Sequence, residues 1–233
     1  MYQDLNEISD GKIYGLNDMV RAATNSCEGC HACCEDMGES ILLDPMDVFL
    51  LEKNLGLTFE QLLNEKIALT VVDGMILPHL KMNEKNNCCA FLNEEGRCRI
   101  HSFRPGICRL FPLGRIYEEH GISYFLQSEG CKKEGRSKVK VSKWLDTPEL
   151  KKKQQYLVDW HDFRKTMEEV IAGTTEEQTV KTITMFLLNS FYVNVYENDR
   201  DFYEQFYERL EKIKSVLQCY ICYLRRKLWR LNL

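Results

Sequence analysis

Cys27, Cys30, Cys33 and Cys34 fall within eight residues, in the stretch CEGCHACC. Two residues between cysteines let one tight turn aim both sulfurs at a single ion, a spacing shared by zinc sites and iron–sulfur clusters. Further thiols follow at Cys88, Cys89, Cys98, Cys108 and Cys131. Cys219 and Cys222 stand apart near the end and fit a packed helix as small apolar residues. The total of 11 is odd, which argues against a closed disulfide framework. No basic segment followed by an apolar run opens the chain, so a reducing cytoplasm is the expected compartment. There, clustered cysteines serve metal binding or redox chemistry more often than structural disulfides. A thioredoxin-like role for Cys27 and Cys30 lacks a surrounding βαβ pattern.

Cys98 and Cys108 sit beside arginines, in GRCRIH and ICRLFP. Positive neighbours favour the thiolate that a metal requires. Arg104, Arg109 and Arg115 read first as charge balance for thiolates. The alternative is that they bind an anionic group, and Arg104 and Arg109 are the candidates for a cofactor. His31 and His101 neighbour candidate ligands and read first as exposed or hydrogen-bonded histidines, with ligation as the alternative. Other chemistry is poorly represented: there is no P-loop, dinucleotide-binding glycine turn, G-x-S-x-G or H-E-x-x-H. A net charge of −4 gives no electrostatic case for nucleic acid or an anionic membrane. No uncharged apolar stretch reaches the roughly 18 residues of a membrane helix.

These side chains must be positioned by short elements. DPMDVFLLEKNLG reads as a helix, with Asp44 as cap, Pro45 in the first turn and Gly56 at the end. Asp47 reads as a capping residue too. Thr58 and Gln61 form a capping box opening a second helix. TVVDGMIL carries a hairpin turn at Asp73-Gly74, and FLNEEGRCRI and RIYEEHGISYFL read as two more hairpins. Such pieces supply little core by themselves and need a staple. Beyond about residue 145 the pattern is helical. One helix starts at Thr147-Pro148-Glu149 and reaches about Ile171. A capping box at Thr174 and Glu177 opens another to about Tyr196, whose end, FYVNVY, alternates like a strand. The last runs from Asn198 or Asp199 to about Trp229. On it Tyr203, Phe206, Leu210, Ile213, Leu217, Tyr220 and Leu224 form a heptad seam. The expected fold class is α+β: a cysteine-rich metal-stapled domain over 1–145, then a helical segment over 146–233 ending in a long amphipathic helix.

CEGCHACC, ILLDPMDVFLLEKNLGLT, CAFLNEEGRCRIHSFRPGICRLFP and the later Cys131 together resemble the YkgJ-type cysteine-cluster family (CxxCxxCC), described as zinc- or iron-chelating and related to flagellin lysine methylases. The resemblance covers roughly residues 12–145. Position by position it implies Cys27, Cys30, Cys33, Cys34, Cys89, Cys98, Cys108 and Cys131 as metal ligands. Cys88 is extra, and His101 stands where the family commonly has tyrosine.

Eight thiols are twice what one four-coordinate site takes, and the adjacent Cys33 and Cys34 cannot easily face one tetrahedral ion. Two sites, or one site with a free or bridging thiol, both remain open. The methylase relatives favour an iron–sulfur cluster (4Fe–4S) over zinc, although neither the ferredoxin continuation nor the radical C-x-x-x-C-x-x-C signature is present. The expected function is a metal-binding cysteine-cluster protein. One alternative is a protein lysine N-methylase using S-adenosylmethionine, with a protein substrate. Another is an interaction module, or homo-oligomer, working through the C-terminal helix.

Overall fold

The computed structural model describes residues 5–24, 30–119, 121–128, 130–133 and 135–231, with side chains of the last helix through Leu217. Its elements are short until the last third. In order they are α1 (Leu5–Ile8), β1 (Ser9–Tyr14), β2 (Met19–Ala23), α2 (Pro45–Leu55), α3 (Phe59–Glu65), β3 (Ile67–Val72) and β4 (Met75–Leu80). Then come α4 (Gly106–Leu110), β5 (Leu113–Glu118), β6 (Gly121–Gln127), β7 (Ser137–Lys140), α5 (Val141–Leu145), α6 (Leu150–Ala172), α7 (Glu177–Leu188) and α8 (Phe202–Leu231). The fold is α+β, with small antiparallel sheets in the orders β1-β6-β5, β2-β7 and β3-β4. Among the described residues no helix is long and apolar enough to cross a membrane.

The helix starts follow their side chains. Asp47 N donates to Asp44 Oδ1 at 2.9 Å while Asp44 N donates to Asp47 Oδ2 at 3.1 Å, closing a reciprocal cap on α2. Thr58 and Gln61 do the same for α3. Asp73-Gly74 turns β3 into β4, with Val72 opposite Met75, and β5 pairs with β6 as the third apolar run suggests.

Four expectations are corrected. FLNEEGRCRI forms no strands, only a bridge between Leu92 and Cys98. Asn93 Oδ1 accepts from Arg97 N at 2.7 Å, so its side chain closes the turn before a ladder can extend. Thr147 does not open α6: its hydroxyl donates to Leu145 O, and the helix starts at Leu150. Thr174 does not cap α7, because its hydroxyl donates back to Val170 O and finishes α6 instead. FYVNVY is not a strand; α7 runs into a π-helical turn over Asn189–Val193 that buries Phe191 and Tyr192.

The core is larger than short elements alone would suggest. One cluster joins Leu51, Leu62, Ile67, Leu77 and Ile100 to Tyr156, Trp160, Phe191, Phe206 and Leu210. The compositional boundary near residue 145 therefore crosses continuous packing. Of the α8 seam, Tyr203, Phe206, Leu210, Ile213 and Leu217 are buried. Phe206 meets Tyr156 of α6 edge-on at 4.7 Å and Phe191 at 5.7 Å. The side chains of Tyr220 and Leu224 lie outside the described residues, as do those of Cys219 and Cys222. A second, smaller cluster of Val20, Leu113, Tyr124, Val141 and Leu145 holds β2, β5, β6 and α5 together.

Candidate metal centre

The first thiols are set by a 3₁₀ turn, Ala32–Cys34, closed by Cys34 N donating to His31 O at 2.7 Å. The chain then leaves in extended form beside residues 87–89. Cys89 N donates to Cys34 O at 2.7 Å, and Glu35 bridges to Cys88. This backbone pairing brings together two cysteine groups some 50 residues apart in sequence. Cys98 arrives through the turn below Phe91, where Arg99 N donates to Phe91 O. Cys108 sits on α4, whose start is fixed by Gly106 N donating to Asp47 Oδ1 at 2.8 Å. Asp47 is itself buried beneath this helix.

Two overlapping groups of thiols result. Cys33, Cys34, Cys89, Cys98 and Cys108 lie close enough to act electrostatically on one another. Cys30, Cys33, Cys108 and Cys131 line one cavity of about 160 Å³, with His101, Arg104 and Trp144 in its wall. Each described cysteine is a free thiol. Among the described residues no three Cys, His, Asp or Glu side chains already stand in ligating geometry. The fold thus supplies a gathered donor set of the type soft metals select, and Cys27, the remaining implied ligand, lies outside the described residues.

Burial outweighs flanking charge at most of these thiols. It pushes Cys89, Cys98 and Cys108 up. For Cys98 the opposing arginine is Arg104, not the adjacent Arg97 or Arg99, which corrects the simple reading of neighbouring residues. Cys33 is the exception. The hydrogen bond from Cys34 lowers its pKa to about 6, against burial, with Arg104 and His31 adding to the effect. The same bond keeps Cys34 protonated.

The other candidates separate by position. Arg104 borders the cavity, bonds His101 Nε2 through Nη1 at 2.7 Å, and has a buried Nε with no partner among the described residues. Arg109 instead donates to Ser102 O at 2.7 Å and Asp146 O at 3.4 Å, bracing α4 and α5. His31 pairs with Glu35 at 2.8 Å. Cys88 Sγ lies 3.8 Å from Glu35 Oε1 and is not among the cavity-lining thiols. Asp47 carries more than its capping role, since it also anchors the Cys108 helix. Asp44 in the same cap meets Lys153 at 3.4 Å and accepts from the Tyr156 hydroxyl at 3.0 Å. The sequence signal for this was an aspartate pair, and the cap explained it too completely.

Against known proteins, the model of a family described as "CxxCxxCC: Putative zinc- or iron-chelating domain" matches residues 26–144, just over half of the chain. No curated protein and no solved structure matches it. The matched span contains every thiol that the fold gathers here, and the chain belongs to the CxxCxxCC family.

Proposed function

We propose that this protein binds zinc or iron on the gathered thiolates, and that the bound form is an iron–sulfur cluster. The observation that carries this reading is the cavity lined by Cys30, Cys33, Cys108 and Cys131. A space for one water needs roughly 10–15 Å³ by the same measure, so about 160 Å³ exceeds what a single four-coordinate ion fills. Four thiols drawn from three chain segments suit a group with several corners. Arg104 and Lys132, also in the wall, offset the negative charge of thiolate ligands. The group would supply either a structural staple or electron transfer.

Substitution tests the ligand set. Cys30→Ser and Cys98→Ser are expected to lower metal affinity by at least about tenfold, since losing even an outer-shell partner costs about 10–100-fold. Cys88→Ser is expected to leave it unchanged. Unchanged metal in Cys30→Ser would remove the cavity from the account, and equal loss in Cys88→Ser would show that folding, not ligation, was being measured.

Methyl transfer from S-adenosylmethionine is the second reading. Arg104 favours it, because this guanidinium borders the thiol cavity and its buried Nε has no hydrogen-bond partner among the described residues, so a carboxylate bound there would pair its charge. Saturable binding of S-adenosylmethionine that disappears in Arg104→Ala supports this reading. Absence of binding to the metal-loaded protein rejects it.

A further inference from the structure

Adjoining the thiol cavity, and sharing Cys131, Lys132 and Lys133 with it, lies an open cleft of about 620 Å³ between the β1-β6-β5 sheet and the β2-β7 pair. Six cations line it: Lys12, Arg21, Lys132, Lys133, Arg136 and Lys138. Its one described carboxylate, Asp10, already accepts the Tyr14 hydroxyl. In a chain of net charge −4 this concentration of positive charge is a local arrangement, not a reflection of composition.

The cations are held close by backbone pairing. Arg21 on β2 and Lys138 on β7 lie one step from the paired Val20 and Val139. Like charges on neighbouring strands repel and destabilise a sheet unless an anion joins them. Among the described residues Lys12, Arg21, Lys132 and Lys138 have no ion pair, and Arg136 Nη1 is buried without a hydrogen-bond partner. The rest of the wall is Tyr14, Met19, Leu126, Gly135 and the Cys131 thiol. Met19 is 53% exposed, and Tyr14 and Leu126 flank it.

We infer that this cleft binds a nucleotide-sized anion, with phosphates on the cations and the flat base against Tyr14 and Met19. The volume falls in the range of small-molecule sites, about 300–1,000 Å³, and far exceeds what a lone phosphate fills. Phosphate recognition by converging lysines and arginines is the chemistry these side chains perform best. Tyr14, Met19, Arg21 and Lys138 stand on the strands, while Cys131, Lys132 and Lys133 border the thiol cavity as well, so binding is read beside metal content.

Calorimetric titration of the metal-loaded protein at about 0.15 M salt tests the assignment, with ATP, tripolyphosphate and adenosine as probes. ATP is expected to saturate one site. Tripolyphosphate is expected to compete, about tenfold more weakly, and adenosine alone to give no measurable heat. Arg21→Glu and the milder Arg21→Gln, with Lys138→Glu, are expected to weaken ATP by about tenfold or more. Lys85→Glu, an exposed charge reversal outside the cleft, should change it less than about twofold. Metal content is measured before and after titration. ATP should also raise the melting temperature of the unaltered protein and not that of Arg21→Glu. No saturable ATP binding, equal weakening by Lys85→Glu, or heat that tracks release of metal overturns the inference. Tripolyphosphate binding as tightly as ATP overturns the part assigned to the base.

Discussion

Gly96 shows how one residue can position a thiol it never touches. It turns the Asn93–Arg97 loop at φ +70°, and a Cβ there would stand 2.7 Å from His31 Cδ2. His31 lies between Cys30 and Cys33 and pairs with Glu35. Gly96→Ala therefore meets two costs: about 1–2 kcal/mol for a left-handed alanine, and displacement of His31. We expect lower stability together with weaker metal retention, read by thermal melting and elemental analysis of the same sample. Stability lost with metal retention intact would confine Gly96 to the turn. At this scale the sequence was legible in kind and not in pairing. It named the cysteines, but could not show that Arg104 acts on Cys98 and Cys33 while Arg109 braces backbone carbonyls. Residues adjacent in sequence point in different directions, and only the fold decides which charge meets which thiol.

The helix α2 was readable because its signals are local: a reciprocal aspartate cap, Pro45 in the first turn and Gly56 at the end. What the pattern concealed was the environment of its later turns. Burial pushes the Glu52 carboxyl up to about 7, against the Phe59 amide and Arg209, which both favour its charge. In the unfolded chain the same group releases its proton near 4.3. Between those values the folded state holds a proton that the unfolded state has lost, so folding becomes less favourable as pH rises toward 7. Above pH 7 the ionised carboxylate is a standing cost, reduced by its partial exposure. Glu52→Gln keeps an acceptor for the Phe59 amide and removes the charge. It should raise the melting temperature by about 2–4 °C at pH 8 and leave it nearly unchanged at pH 5. An equal gain at both pH values would place the effect in packing. Local signals also mislead: Thr174 carries the residue type of a cap, but its hydroxyl donates to Val170 O, four residues back in α6.

Across the whole molecule, the cysteine-rich region and the helices share one core, in which Tyr156 and Phe206 touch and Phe49 stacks on Phe202 at 5.2 Å. The sequence suggested a thin domain dependent on its metal, since short elements offer few apolar residues each. Their burial partners came from residues 150–217, too distant in sequence for local pattern to reveal. Cys89 is buried within that shared core, and Cys34, Cys98 and Cys108 pack against it. Metal is accordingly expected to order the loops that carry the ligands, while the aromatic core persists without it. The central claim, that these thiols hold an iron–sulfur group, is tested most directly by iron and acid-labile sulfide analysis of protein purified without oxygen. The account predicts about four irons and about four sulfides per chain for one 4Fe–4S cluster. Stoichiometric zinc without sulfide would contradict the cluster, and protein free of both zinc and iron after anaerobic purification would contradict the metal centre itself.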